Sequence, residues 1–206
     1  MRVASASVSV SARADILRAV RRTAAEAPPL PPVRPRPDPD DDRAARFAER
    51  LREAGGSVER TSPGQLAAAA GRFVSAVCAT RILSFLPEIL PSTAPLDGSD
   101  DPRALAEVDC ALLRAHFGVA ENGAVWITDE LVAPRSALFL PEHVAVVLDA
   151  RDLVSDMHAA YARLGTTLPA FGCFVAGPSK TADIEQALVI GAHGPRSLAV
   201  LLVEPD

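Results

Sequence analysis

The amino-acid sequence predicts an α/β fold in three layers: an open, mainly parallel sheet with helices covering both faces. Three observations predict it. From His116 onward, short β-branched runs alternate with a helical stripe at the spacing of crossover units. The run HVAVVL at 143–148 is apolar almost throughout, as a strand buried on both faces is. Nearly half of the 206 residues are hydrophobic (49%), enough for one sizeable core.

In chain order, residues 11–26 predict a helix, with Ile16, Leu17 and Val20 on one face and Arg18, Arg21 and Arg22 spread over the other. Two roles are open to it, a docking arm for a partner or a helix that packs on its own domain. The segment APPLPPVRPRPDPDDD at 27–42 is rich in proline and then acidic. Proline removes the donors of helix and ladder, so this stretch predicts an extended linker. The sequence thus divides into 1–42, a helical arm with its linker, and 43–206, the α/β domain.

That domain opens with an apolar stripe of Ala44, Phe47, Ala48 and Leu51, a helix stopped by Gly55-Gly56. A short strand follows at 57–60. A second helix is expected at 63–77, with Pro63 in its first turn. Prolines and Gly98 make 83–101 mostly loop. Leu105, Val108, Leu112 and Leu113 predict a helix over 104–115. Two β-like runs lie within 116–128. After the strand at 143–148, Leu153, Met157, Tyr161 and Leu164 predict a helix stripe. Strands at 171–176 and 198–203 complete the set.

The net charge of -5 argues against a nucleic-acid binder, whose domain carries a basic patch or stripe. No apolar stretch approaches a membrane span. Ser5, Ser7 and Ser9 interrupt the apolar N-terminus too often for an export signal. The cysteines, Cys78, Cys110 and Cys173, are scattered among apolar neighbours with no C-x-x-C spacing. The expectation is a reducing, cytoplasmic setting and neither a metal site nor an iron–sulfur cluster in this chain.

Three segments could carry chemistry. In the first, Gly177-Pro178-Ser179-Lys180-Thr181 follows a strand and holds Lys180, the single lysine of the chain. A Gly-Pro turn, two hydroxyls and an ammonium ahead of a helix start would suit an anion, and the expectation places them with His193 at the carboxyl edge of the sheet, where ligands of open α/β sheets collect. The same residues also describe a capped turn, with Thr181 as N-cap and Asp183 and Glu185 near the positive helix end. In the second, Gly191-Ala192-His193-Gly194-Pro195 presents His193 between small residues. It is either a ligand-facing acid or base, or a plain surface turn. In the third, Glu121-Asn122-Gly123 is foremost a tight hairpin. Glu121 at its tip is a candidate base or nucleophile. His116, His143 and His158 lie beside apolar runs and read as core-edge or surface residues, and the acids at 38–42 as a solvated linker.

Taken in order, GVAENGAVWI (118–127), LFLPEHVAVVL (138–148), GPSKTADIEQALVIGAHGP (177–195) and SLAVLLVE (197–204) resemble the LUD-domain family. DILRAVRR at 15–22 suits its lactate-utilisation C branch. The resemblance is firm from about residue 103 onward. Where the family usually has Glu-Thr-Gly-Thr, this chain has Glu121-Asn122-Gly123-Ala124, without the two hydroxyls.

The resemblance implies a fold of the ribose-5-phosphate isomerase, glucosamine-6-phosphate deaminase and CoA-transferase superfamily. It implies a role in oxidising lactate to pyruvate as a subunit without a cluster, beside partner subunits that carry iron–sulfur clusters. A small carboxylate or other anion would then bind at Gly177, Ser179, Lys180, Thr181 and His193. The alternative is a stand-alone enzyme of the acyl/CoA-transferase or sugar-phosphate kind that uses Glu121. The tetrapeptide Ala120-Glu121-Asn122-Gly123 is similar to the Ser-Glu-Asn-Gly setting of the CoA-transferase nucleophile.

Overall fold

A computed structural model describes residues 9–23, 42–94, 102–184 and 187–205. The chain divides into two compact units, Met1–Pro39 and Asp40–Asp206. In the first, helix α1 (Ser9–Thr23) is tied along its surface by Arg18 to Asp15 at 2.8 Å, and Thr23 closes it by donating to the carbonyl of Val20. The linker expected at 27–42 falls, except for Asp42, outside the described residues.

In the second unit, α2 (Arg43–Glu53) starts at Asp42, whose carboxylate accepts the amide of Ala45 at 2.8 Å. An acid placed by its neighbours in the linker is therefore the helix N-cap, set at the positive end of the helix. β1 (Ser57–Thr61) follows, then a 3-10 turn and α3 (Leu66–Ala76). β2 (Ile82–Ser84), β3 (Cys110–Arg114), β6 (His143–Asp149) and β11 (Ser197–Val203) join β1 in one sheet of order β1-β11-β6-β3-β2, parallel at every pairing. A second sheet, β7-β4-β5-β8, is built from β4 (Phe117–Val119), β5 (Ala124–Thr128), β7 (Leu153–Val154) and β8 (Gly172–Val175). α4 (Met157–Leu164) follows β7, and β9 (Lys180–Ile184) and β10 (Ala187–Ile190) form a separate antiparallel hairpin.

The inner strands of the parallel sheet are buried on both faces, and their successive residues enter two different clusters. Val144, Val146, Leu148, Val200 and Leu202 meet Phe47 and Leu51 of α2 together with Val125 and Ile127 of the second sheet. Ala145, Val147, Leu112 and Leu201 face Leu66, Ala69 and Ala70 of α3. The outer side of the second sheet, Phe117, Val119 and Trp126, is closed by Ala160 of α4. The α/β fold with a mainly parallel central sheet stands as expected. One covering layer, however, is a helix joined to a smaller sheet.

Three expectations are corrected. Residues 104–115 are not a helix: a 3-10 turn ends at Leu105, and Cys110–Arg114 is β3, an inner strand between β2 and β6. Cys110, Ala111, Leu112 and Leu113 are all buried, and a run apolar on every side fits helical and extended periods equally. Leu153 belongs to β7, and Asp156 caps α4 by accepting the amide of Ala159. Tyr161, 61% exposed, is outside the apolar stripe. Thr181 starts no helix, because it lies within β9 and pairs with Val189 of β10.

Candidate functional site

Helix α2 runs antiparallel to β1, so its last turn ends at the amino edge of the parallel sheet. Two of the three candidate segments pack against that turn. Gly177, at φ +76, sits so close that a β-carbon there would lie 2.3 Å from the carbonyl oxygen of Ala54. A left-handed residue without a side chain is what the contact requires. Pro178 and the Lys180 ammonium lie against Gly55. About one turn earlier on the same helix, Gly123 of the β4–β5 hairpin presses on the backbone of Arg50 and Leu51.

The third segment is clasped to the first by Ser179. The Ser179 amide donates to the carbonyl of Pro195, and its own carbonyl accepts the amide of Gly191, both at 2.9 Å. These bonds flank His193 on either side and close the loop that presents it. Ser179 thus acts here through its main chain. Arg196 then donates its amide to the carbonyl of Glu142 at 2.7 Å, immediately ahead of the pair Ser197–His143 that opens β11 and β6. The Gly177 and His193 loops therefore meet at the amino edge of the parallel sheet, not at the carboxyl edge that the sequence suggested, because both lie ahead of the first pair of β11 and β6. The carboxyl edge is occupied by ion pairs, Arg60 with Glu204 and Arg151 with Asp149.

Electrostatics separate the candidates. Lys180 and Thr181 are successive residues of β9 and so point to opposite faces of the hairpin. The Lys180 ammonium lies at the carbonyl end of α2, where a cation gains about 0.3–1 kcal/mol from the helix dipole. A negative helix end replaces the positive start that the turn suggested. Glu121 is exposed, and its carboxylate accepts the amide of Met157 at 3.0 Å. Beside Asp156, it satisfies the open donors at the start of α4. Asn122 accepts the amide of Ala124 at 3.0 Å, so it supports the turn where the family usually places a threonine.

His193 lines an open cavity of about 440 Å³ with Phe139, Leu140, Glu142 and Arg196. Arg196 and Glu142 form an ion pair across its rim. Sequence reasoning missed both of these residues. The only signal was their position, each one residue before a strand, and nothing local relates positions 54 residues apart. A second cavity, of about 400 Å³, lies between β1 and α3 beside the ion pair of Arg72 with Glu59.

The thiols differ in setting. Burial pushes Cys110 up to about 12, with the Asp109 carboxylate adding to it, and burial also raises Cys173. Cys78 is exposed beyond the end of α3. Among the described residues, no three His, Cys, Asp or Glu side chains stand together as a metal-holding group. No described helix is long and apolar enough to cross a membrane.

A family model described as the LUD domain matches residues 84–203. An uncharacterized protein of Neisseria meningitidis serogroup B is 30% identical over 102 residues, covering 48% of this chain and 44% of that one. Lactate utilization protein C 1 of Bacillus mycoides is 30% identical over 114 residues, covering 52% and 49%. The chain spans about half the length of the curated relatives it matches. The crystal structure of a DUF162 family protein from Deinococcus radiodurans aligns with TM-score 0.57 and 17% identity over 82% of this chain and 99% of that one, a likeness of fold.

Proposed function

The chain belongs to the LUD domain family, and on that premise we propose that it serves lactate utilisation as a subunit without a cluster, binding a small anionic ligand. The observation that carries this reading is the family match over 84–203 together with the relative named lactate utilization protein C. In this reading the iron–sulfur clusters for oxidising lactate to pyruvate reside in partner subunits. The donor set supports that division, since a cluster needs several thiolates together and, among the described residues, no three His, Cys, Asp or Glu side chains are grouped. The ligand binds where the Gly177 and His193 loops meet. A stand-alone transferase would need the Glu121 carboxylate turned toward a substrate, and here it accepts the Met157 amide.

The test is recovery of the tagged full chain from its native cells, with iron analysis of what accompanies it and an assay of lactate-dependent dye reduction. Expected are iron-bearing partners and turnover that is lost when this chain is deleted and restored when it is returned. Undiminished lactate turnover in the deletion strain refutes the reading.

A further inference from the structure

We propose that His193, Arg196 and Glu142 form a selective site for a small monocarboxylate bearing an oxygen on the carbon next to its carboxylate, a 2-hydroxy or 2-oxo acid. The proposal rests on the lactate-utilisation reading for the choice of ligand class and on the cavity for its chemistry.

At about 440 Å³, the cavity falls within the range of about 300–1,000 Å³ usual for small-molecule sites. Its lining offers three kinds of contact. Arg196 commits one guanidinium nitrogen to Glu142, while its side chain remains 65% exposed. The rest of its planar fork is open to a second carboxylate, in the bidentate geometry that guanidinium favours. His193 is held beside it by the Ser179 clasp, and Gly191 lies against the Arg196 side chain. An imidazole can accept from a hydroxyl or donate to a carbonyl, so it suits either oxidation level of the 2-position. Phe139 and Leu140, 40% and 46% exposed, give an apolar wall for a short aliphatic end.

Glu142 supplies the selectivity. A monocarboxylate shares Arg196 with it, whereas the second charge of a dicarboxylate meets its carboxylate at close range, where like charges repel. Lys180 at the end of α2 is not needed for any of these contacts.

The experiment titrates the purified full chain with L-lactate, pyruvate, acetate and succinate, following ligand line broadening and protein amide shifts. Arg196→Gln should weaken lactate and pyruvate at least tenfold. His193→Ala should weaken lactate and pyruvate severalfold and leave acetate, which lacks the 2-oxygen, unchanged. Glu142→Gln should raise succinate binding at least tenfold. Arg60→Gln, which removes an exposed arginine paired with Glu204 at the far edge of the sheet, should change nothing. Melting curves confirm that each variant is folded.

Saturable binding of neither acid to the wild-type chain at millimolar concentration overturns the site, as does an Arg60→Gln effect equal to that of Arg196→Gln. If binding depends on Arg196 but deletion of the chain leaves lactate turnover intact, the lactate reading fails and the site stands. If turnover needs the chain and neither acid binds, the site fails alone.

Discussion

Replacing Gly123 with alanine tests whether the β4–β5 hairpin is locked onto α2. Gly123 has φ +70, and holding an L-residue in that left-handed region costs about 1–2 kcal/mol. A β-carbon there would lie 2.4 Å from the amide nitrogen of Leu51 and 2.6 Å from its α-carbon. Those are backbone atoms of a helix anchored by the fully buried Phe47 and Leu51, so they cannot swing aside as a long side chain would. Overpacking of this kind adds about 1–3 kcal/mol. Together the two effects predict a loss of about 2–5 kcal/mol, which for a chain of this length is a Tm lowered on the order of 10 °C. Gly71→Ala is the matched control. It sits inside α3, a β-carbon there would meet nothing within 4 Å, and alanine should stabilise by about 0.5–1 kcal/mol. Urea denaturation followed by far-UV circular dichroism measures both. The reasoning is refuted if Gly123→Ala lies within about 0.5 kcal/mol of wild type while Gly71→Ala behaves as expected, given that exposed substitutions without strain usually fall in that band.

Three further outcomes are expected. Native protein should give one fast thiol with a disulfide reagent at pH 8, from Cys78, and three only in denaturant, because burial holds Cys110 near 12; fast labelling of Cys110 in mass spectra would contradict this. Asp109 accepts the amides of Arg81 and Thr80, which lowers its carboxyl below the usual range, so its contribution is present above the unfolded value of about 3.9 and lost as pH falls through the folded one. Asp109→Asn should flatten that part of the curve of urea midpoint against pH, and an unchanged acid slope would count against the assignment. Leu51→Ala opens the interface between α2 and the parallel sheet and should cost about 2–5 kcal/mol in the same urea assay; a loss under 1 kcal/mol would mean that α2 is not part of the core.

What could be read in advance depended on local chemistry. Asn122-Gly123 announces its hairpin because the turn needs positive φ, which Gly123 adopts. β6 is legible because a β-branched run buried on both faces leaves few other structures. The helix expected over 104–115 fails for the opposite reason. Leu105, Val108, Leu112 and Leu113 satisfy a helical stripe, and only the neighbours β2 and β6 turn Cys110–Arg114 into a strand. Thr181 fails similarly, since threonine, alone among the common capping residues, is β-branched and also a good strand residue when a partner such as Val189 lies opposite.

The sequence by itself determined the α/β class, the helix of Phe47 and Leu51, the hairpin and the family, all carried by signals within a few residues or by ordered motifs. It also marked Ser179 and His193 as neighbours of interest. Only the tertiary structure decided that their loops meet at the amino edge of the parallel sheet, where the Ser179 main chain holds the His193 loop. It alone set Lys180 at the carbonyl end of α2 and Glu121 at the start of α4. It paired Arg196 with Glu142 because β11 and β6 lie in parallel register from Ser197 and His143 onward. The energy of that register comes from side chains buried further along the two strands, so no property of Glu142 or Arg196 could have foretold their meeting.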